Sequence, residues 1–455
     1  MGTISGPFPY PPPEGFRISP LGAFRKNEKV RVIHDLSFPP GDAVNEGIDD
    51  TETSVKYSSV ADAVKWCQMY PDPWLAKCDL KSAYTSCMVK PADRHLLGFS
   101  WTYLDKKCTF TQNSLPFGLS SSCARFETIA TVMEEIMICR GAPKSTLHYL
   151  DDTIVINSSK EACADSLAII LDTCKQAGFR VQDKKTCGPT KVIEFLGITI
   201  DTIQGKLCIS SDKVAELRSL LTRWLHKKSA TKRELLSLLG KLAFASQVVV
   251  SGVKFTRRLT NLSKLVKNLN HRVTLTQEAK KDLKWWYCCL IGHNGVSYFP
   301  RELHIDTCEI MHSDASDIAC GAVYRDKWTI LEYQGPYEHA KSKLIAYREM
   351  LALVLAVATF GPLVKNKQVL MNVDNETVRL SIIKGYSRED DLMALIRSLY
   401  FYASIYHLDY RVIRVTSAEN ISADAISRKD WHRLYQHQPT LDQLPMTHPL
   451  LMLDF

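Results

Sequence analysis

The sequence predicts a mixed α/β (α+β) protein of several domains, and three observations carry that prediction. Strand-like and helical runs alternate over residues 17–205 and again over 306–430, with a helical, basic stretch between them. At 455 residues the chain exceeds one ordinary domain. Its 45% apolar and 23% charged residues are those of a globular protein with cores to fill.

Residues 1–16, with Gly6-Pro7-Phe8-Pro9-Tyr10-Pro11-Pro12-Pro13, read as an extended, proline-rich lead-in. Trp74–Asp79 is an apolar strand that ends in an acid, followed by Ala83-Tyr84. Tyr149-Leu150-Asp151-Asp152 lies between Thr146-Leu147-His148 and Thr153-Ile154-Val155-Ile156, which predicts strand, tight turn, strand with two carboxylates at the tip. Aspartate is common in turns for conformational reasons alone. Asp79 changes that reading, because two separated strand ends that bring carboxylates together suit hard divalent cations, which take oxygen ligands. Two such ions clamp the attacking and leaving oxygens of an in-line phosphoryl displacement. Downstream, Ser158 as cap, Glu161 and the terminating Gly178 delimit a helix with Cys163, Leu167, Ile170, Leu171 and Cys174 on one face. A strand follows over Glu194–Ile200.

The formal net charge is +8, yet Lys206–Lys284 alone holds 18 Lys and Arg against 5 Asp and Glu. A basic segment beside acidic sites is the footprint of a polyanion partner, the alternative being a solvated lysine-rich helical face. Val214, Leu217, Leu220, Leu221 and Trp224 form an apolar stripe, and Thr231-Lys232-Arg233-Glu234 opens a second helix with a capping box. Residues 271–305, including Trp285-Trp286-Tyr287, read as a connector of unassigned structure. From 306 a second α/β unit places Asp314 and Asp374 at strand ends, Glu349 in the first turn of an apolar helix, and Asp424 after the last strand, Tyr410–Val415. Another helix covers 391–406, and residues from 431 on read as a loosely held tail. The 14 cysteines include no CxxC pair, no signal peptide opens the chain, and the apolar run within Met350–Gly361 is too short for a bilayer. These features predict reduced thiols in an intracellular protein of cytoplasm and/or nucleus, without a membrane partner.

Asp79-Leu80-Lys81-Ser82-Ala83-Tyr84, Leu115-Pro116-Phe117-Gly118-Leu119-Ser120 and Tyr149-Leu150-Asp151-Asp152, then Gly178-Phe179 with Lys185 and Phe195-Leu196-Gly197, occur in the order of the palm motifs of reverse transcriptases. The set resembles the retrotransposon enzymes. The stretches Ser19–Phe24 and Asp35–Pro39 resemble the tyrosine-recombinase, DIRS-type group more than gypsy-type or retroviral ones. Asp374-Asn375 and Asn420–Arg428 resemble the ribonuclease H of retroelements. The resemblance covers residues 17–430. It implies a right-hand polymerase with fingers and palm over 17–205, a basic thumb over 206–270, a connector over 271–305 and a ribonuclease H-like domain over 306–430.

The resemblance also assigns roles. Asp79, Asp151 and Asp152 hold two Mg²⁺ ions, with Asp151 ranked above Asp152 because adjacent strand residues point to opposite faces. Mn²⁺ is an alternative ion. Lys185 matches the position proposed to protonate the leaving pyrophosphate. Lys26, Arg31, Leu80, Ala83, Tyr84, Phe117 and Gly118 bind the nucleotide, with Tyr84 as the steric gate against a 2′-hydroxyl. Asp314, Glu349, Asp374 and Asp424 hold two further ions for cutting RNA. The implied partners are an RNA template, a DNA primer, RNA/DNA hybrid and deoxynucleoside triphosphates. Three positions depart from the pattern. Phe117 stands where retroviral enzymes carry Gln, Cys123 where many relatives have Pro, and Arg414–Glu419 lacks the His that many retroviral ribonucleases H carry before the last Asp. Two rival readings are a truncated, non-catalytic remnant that still binds nucleic acid, and a telomerase-like polymerase. The acids at both sites count against the first, and the ribonuclease H-like unit against the second.

Overall fold

The computed structural model describes residues 2–12, 14–26, 29–293, 295–299 and 308–453, and the chain divides into two units, Met1–Ile203 and Gln204–Phe455. In the first unit the elements run β1 (Ile4–Phe8), β2 (Leu21–Lys26), β3 (Lys29–His34), α1 (Val60–Met69), β4 (Trp74–Asp79), α2 (Ala83–Ser86), β5 (Gly98–Tyr103), β6 (Lys106–Gln112), α3 (Ser122–Cys139), β7 (Thr146–Tyr149), β8 (Asp152–Asn157), α4 (Lys160–Gln176), β9 (Cys187–Thr190), β10 (Val192–Phe195) and β11 (Ile198–Asp201).

Four strands in the order β7-β8-β4-β9 make the central sheet, all neighbours antiparallel. Its buried side chains Ala76, Cys78 and Val155 pack with Phe126, Met133 and Met137 of α3 and with Cys163, Ile170 and Cys174 of α4. The register sets Asp79 opposite Asp152, so the ends of two separate strands meet at one edge of the core. The cap of α4 is Ser159, whose Oγ accepts from Ala162 N, rather than Ser158; the helix starts one residue later than expected because Asn157 Oδ1 takes the Ser158 N–H. Gly178 follows the helix at φ +78°, as its predicted terminating role requires. The lead-in is corrected in one respect: Ile4–Phe8 is a strand on β6 in the sheet β1-β6-β5. Its alternation was invisible beneath the prolines around it.

In the second unit the elements are β12 (Lys206–Cys208), α5 (Ser211–His226), β13 (Ser229–Thr231), α6 (Lys232–Ala245), α7 (Arg257–Lys264), β14 (Arg272–Thr274), α8 (Gln277–His293), β15 (Val296–Tyr298), β16 (Glu309–Ala315), β17 (Ala319–Tyr324), β18 (Lys327–Glu332), α9 (Ile345–Phe360), β19 (Gln368–Val373), α10 (Glu376–Lys384), α11 (Asp390–Ile405), β20 (Asp409–Arg414), α12 (Ile421–Ser427) and α13 (Trp431–His437). The capping box of α6 forms as predicted, Thr231 Oγ1 accepting from Glu234 N while the Glu234 carboxylate accepts from Thr231 N. The stretch read as a connector contains a 17-residue helix, α8, with Trp285 and Trp286 wholly buried. Residues 300–305 of that stretch, and the expected domain start at 306, lie outside the described residues.

Five strands form a mixed sheet in the order β18-β17-β16-β19-β20, antiparallel from β18 to β16 and parallel from β16 to β20. Helix α9 is its core helix. With the turn after it, Ile345–Val364 is the one described segment with the length and hydropathy of a membrane span, and 83% of its most apolar 18-residue stretch is buried inside the protein. The helix begins at Ile345, so Glu349 stands one turn further in than the first turn assigned from sequence; Ile345–Arg348 extend it because no breaker precedes them. The expectation of a loose tail is also corrected. Asp442 N donates to Asp326 O at 2.8 Å, Met446 N to Trp328 O at 2.8 Å, and Trp328 Nε1 to Asp442 O at 2.7 Å. The tail covers β18, whose exposed edge would otherwise invite strand pairing.

The second unit is tied internally by a buried ionic cluster. Arg397 of α11, 0% exposed, donates to Asp282 at 2.9 Å and Glu278 at 2.7 Å of α8, and Arg258 of α7 reaches Asp282 at 3.0 Å. Removing one partner of a buried pair strands the other charge away from water. Asp282→Asn is expected to cost about 3 kcal/mol or more of stability, read as a lowered midpoint in chemical denaturation of the purified chain. A shift within error would mean that Glu278 alone balances Arg397.

Candidate active sites

The first site lies at the edge of the β7-β8-β4-β9 sheet. The two-residue turn between β7 and β8 is Leu150-Asp151, with Leu150 at φ +53°. A left-handed leucine costs on the order of 1 kcal/mol; it is held because Leu80 N donates to Asp151 O at 2.9 Å and the Leu150 side chain packs on the core. Asp79 is 4% exposed, and the Asp152 carboxyl shares a hydrogen bond with it. Burial, that bond and the charges of Asp79 and Asp151 push Asp152 up to about 6. Burial and the Asp79 charge raise Asp151 as well. Three carboxyl groups in one half-buried place repel one another and call for positive charge. Lys185 supplies some of it, its Nζ 2.6 Å from Asp79 Oδ2, and the hydrogen bond to Asp79 raises the ammonium above its ordinary value.

The remaining sequence-named residues converge here, with one falling outside the description. Tyr84 in α2 lies in the field of Asp151, and its ring centre is 5.3 Å from those of Phe117 and Phe126. The Arg31 guanidinium sits 5.9 Å over the Phe117 ring and also acts on Asp151. Leu80 and Ala83 are buried in the core cluster against which Tyr84 packs. Gly118 has φ +116°, and a Cβ there would stand 2.0 Å from His34 O, so only glycine lets this loop lie against β3. The Lys26 side chain is outside the described residues.

The second site lies on the mixed sheet. Among the described residues, Asp314, Glu349 and Asp374 are the group of three acidic, His or Cys residues whose ligand atoms all lie within 4.8 Å of one another. Asp314 is 4% exposed and Glu349 2%. Asp314 Oδ2 accepts from Ser427 Oγ at 2.7 Å, and Glu349 Oε1 from Ala315 N at 3.2 Å. Glu349 Oε2 is buried without any hydrogen-bond partner. Burial, with the charges of Asp374 and Asp424, pushes Asp314 up to about 7; burial and the charges of Asp314 and Asp374 push Glu349 up to about 9. A buried oxygen lacking a donor, beside two more carboxylates, fits an oxygen-seeking dication.

The fourth acid stands beside this group without joining it. Both Asp424 oxygens are held by guanidinium groups, Oδ1 by Arg428 at 2.7 Å and Oδ2 by Arg433. Helix α12, which carries Asp424, docks on β17 at Gly321, opposite Asp314 in register; a Cβ at Gly321 would meet Ala423 O and Ser427 N at 2.7 Å.

The family described as reverse transcriptase (RNA-dependent DNA polymerase) matches residues 38–200, which hold Asp79, Tyr84, Phe117, Gly118, Asp151, Asp152 and Lys185. Residues 38–200 are a reverse transcriptase domain. Among curated proteins it is similar to the Tf2-3, Tf2-4 and Tf2-7 transposon polyproteins of Schizosaccharomyces pombe (strain 972 / ATCC 24843), at 26% identity over 288 residues, or 61% of this chain. The chain spans about a fifth of those polyproteins, the aligned part being 20% of their length. Among solved structures it is similar to a foamy viral protease-reverse transcriptase in complex with double-stranded DNA, at 15% identity and a TM-score of 0.47, covering 88% of this chain and 65% of that one. The same viral protein in complex with RNA/DNA hybrid gives 14% identity and a TM-score of 0.44, covering 87% and 50%.

Within the matched region, sequence reasoning missed the support of the acidic hairpin. His148, directly before Tyr149, lies between Glu127 and Glu134 of α3, with Nε2 3.1 Å from Glu127 Oε1 and Nδ1 on Glu134. Burial alone would lower this imidazole, but the two carboxylates outweigh it and raise it above its ordinary value. The spacing of Glu127 and Glu134, two helical turns apart on one face, was the available signal. Arg428 and Arg433 were likewise passed over, although one turn separates Arg428 from Asp424.

Proposed function

We propose that the chain is an RNA-directed DNA polymerase with ribonuclease H activity, from a retrotransposon. The meeting of Asp79, Asp151 and Asp152 beside Lys185, inside the matched reverse transcriptase region, carries the polymerase half. The triad Asp314, Glu349 and Asp374 on a mixed sheet carries the nuclease half. The stretches Ser19–Phe24 and Asp35–Pro39 favour the DIRS-type group within the retrotransposons.

At the first site Asp79, Asp151 and Asp152 would hold Mg²⁺, which when bound acidifies the primer 3′-hydroxyl and neutralises the outgoing pyrophosphate. The 3′-oxygen forms a bond to the α-phosphorus of a deoxynucleoside triphosphate as the bond to pyrophosphate breaks. Lys185, kept protonated by Asp79, stands ready to give a proton to that leaving group. Arg31 supplies charge to the triphosphate, Phe117 and the Gly118 backbone shape the pocket, and Tyr84 lies under the sugar. Positioning and charge complementarity supply most of the catalysis in phosphoryl transfer. At the second site Asp314, Glu349 and Asp374 would hold Mg²⁺ for attack of water on an RNA phosphate, while Asp424 is turned to Arg428 and Arg433 beside them. The 18 cationic residues of 206–284 favour backbone contacts that ignore sequence and weaken steeply with salt.

Primer extension on an RNA template, run beside cleavage of a labelled RNA/DNA hybrid, tests both halves. Asp151→Asn is expected to abolish synthesis and spare cleavage, and Asp374→Asn to do the reverse. A folded wild-type chain without either activity would establish the non-catalytic remnant instead. One substitution that removes both activities without unfolding would overturn the two-site reading.

A further inference from the structure

We infer that Cys123 and Tyr57 are positioning residues for the Tyr84 ring, and that the Cys123 thiol thereby helps to set discrimination between deoxyribose and ribose at the nucleotide site. The inference rests on the polymerase reading and on Tyr84 as its gate.

A gate excludes a 2′-hydroxyl by repulsion, and repulsion discriminates only where the ring cannot give way. Tyr84 is fixed from three sides. Its ring packs on Phe126, which is wholly buried, and on Phe117, each at 5.3 Å between centres. Its hydroxyl donates to Cys123 Sγ at 3.2 Å. Cys123 lies in the first turn of α3, so its position is set by a long helix rather than by a loop. The Tyr57 hydroxyl lies in the electrostatic field of the same thiol. The Tyr57 ring packs on Tyr149, the first residue of the acidic hairpin, with centres 4.9 Å apart and planes at 43°. Tyr57 thus packs on the hairpin residue Tyr149, while Cys123 and Phe117 hold Tyr84, which lies in the field of Asp151. A proline at position 123 would offer no acceptor, so this sulfur is a feature of the present chain. The thiol is exposed, which leaves the bond open to chemical change.

The test is the ratio of kcat/KM for a deoxynucleotide over its ribonucleotide counterpart, in primer extension by the full chain. Cys123→Ala removes the acceptor and is expected to lower the ratio about fivefold, one hydrogen bond's worth, through a lower KM for the ribonucleotide. Tyr57→Phe is expected to move it the same way by a smaller factor. Cys123→Ser keeps an acceptor and is expected to restore most of the ratio. Tyr84→Val is the reference and is expected to lower it far more. Iodoacetamide, which forms an S–C bond as iodide and the thiol proton leave, is expected to slow wild type more than Cys123→Ser. An unchanged ratio in Cys123→Ala beside a collapsed one in Tyr84→Val overturns the positioning role and leaves the gate standing. Failure of Cys123→Ser to restore the ratio, or equal slowing by iodoacetamide, counts against it equally. An unchanged ratio in Tyr84→Val removes the gate and this inference with it.

Discussion

Asp79→Asn is expected to reduce primer extension by a factor on the order of 10³ or more without lowering the stability of the chain. Asp79 closes β4 at 4% exposure, faces Asp152 in register and holds the Lys185 ammonium. The amide keeps the shape and one acceptor oxygen but loses the charge that would bind a dication and orient Lys185. Folding is expected to be unharmed, because the substitution relieves repulsion among three crowded carboxyl groups. Rapid-quench extension assays paired with thermal melting separate the two effects. A folded variant that retains more than a tenth of wild-type synthesis would remove Asp79 from the catalytic set.

Glu349→Gln is expected to lose RNA cleavage by about two to three orders of magnitude and to alter the pH dependence of stability. Burial and the neighbouring carboxylates push Glu349 up to about 9 and Asp314 up to about 7, both far above the ordinary carboxyl range. The folded chain therefore keeps protons that the unfolded chain has released. By linkage, the stability associated with them is complete below the unfolded values near pH 4 and is lost as pH rises through 7 and then 9. The combined loss is on the order of 5 kcal/mol, taking one pKa step as ~1.4 kcal/mol and discounting for coupling. The glutamine side chain of the variant carries no charge, so its stability is expected to fall less between pH 6 and pH 9. Added Mg²⁺ is expected to raise the melting temperature of wild type more at pH 8 than at pH 6, since the ion competes with protons for the same oxygens. Melting curves across that range, with and without Mg²⁺, check both statements. A wild-type curve that is flat from pH 6 to 9 without metal would contradict the burial of this triad.

The elements read most securely were those with purely local causes. The Thr231–Glu234 capping box, the stop at Gly178 and the hairpin around Asp151-Asp152 each depend on residues a few positions apart, and each formed. Local patterns also failed in instructive places. Helix α8 does carry a stripe at helical spacing, Ala279, Leu283, Trp286 and Leu290, all buried, which the reading of 271–305 as a connector passed over. The tail shows little periodicity because a few separate residues, Leu434 and Leu441 among them, enter the core against Trp328 while backbone hydrogen bonds to β18 hold the stretch around Asp442 and Met446.

For the sites, the sequence by itself determined which carboxylates stand at strand ends, and the order of motifs that groups them. Only the tertiary structure decided how their atoms meet. Register set Asp152 against Asp79, and burial left one oxygen of Glu349 without a donor. Two arginines drew Asp424 aside from the other three acids, and a sulfur on α3 came to rest against Tyr84. The physical reason is one of range. Caps and turns are settled by neighbours along the chain, whereas charge pairing and desolvation depend on atoms brought together from more than thirty residues apart, as Tyr84 and Cys123 are.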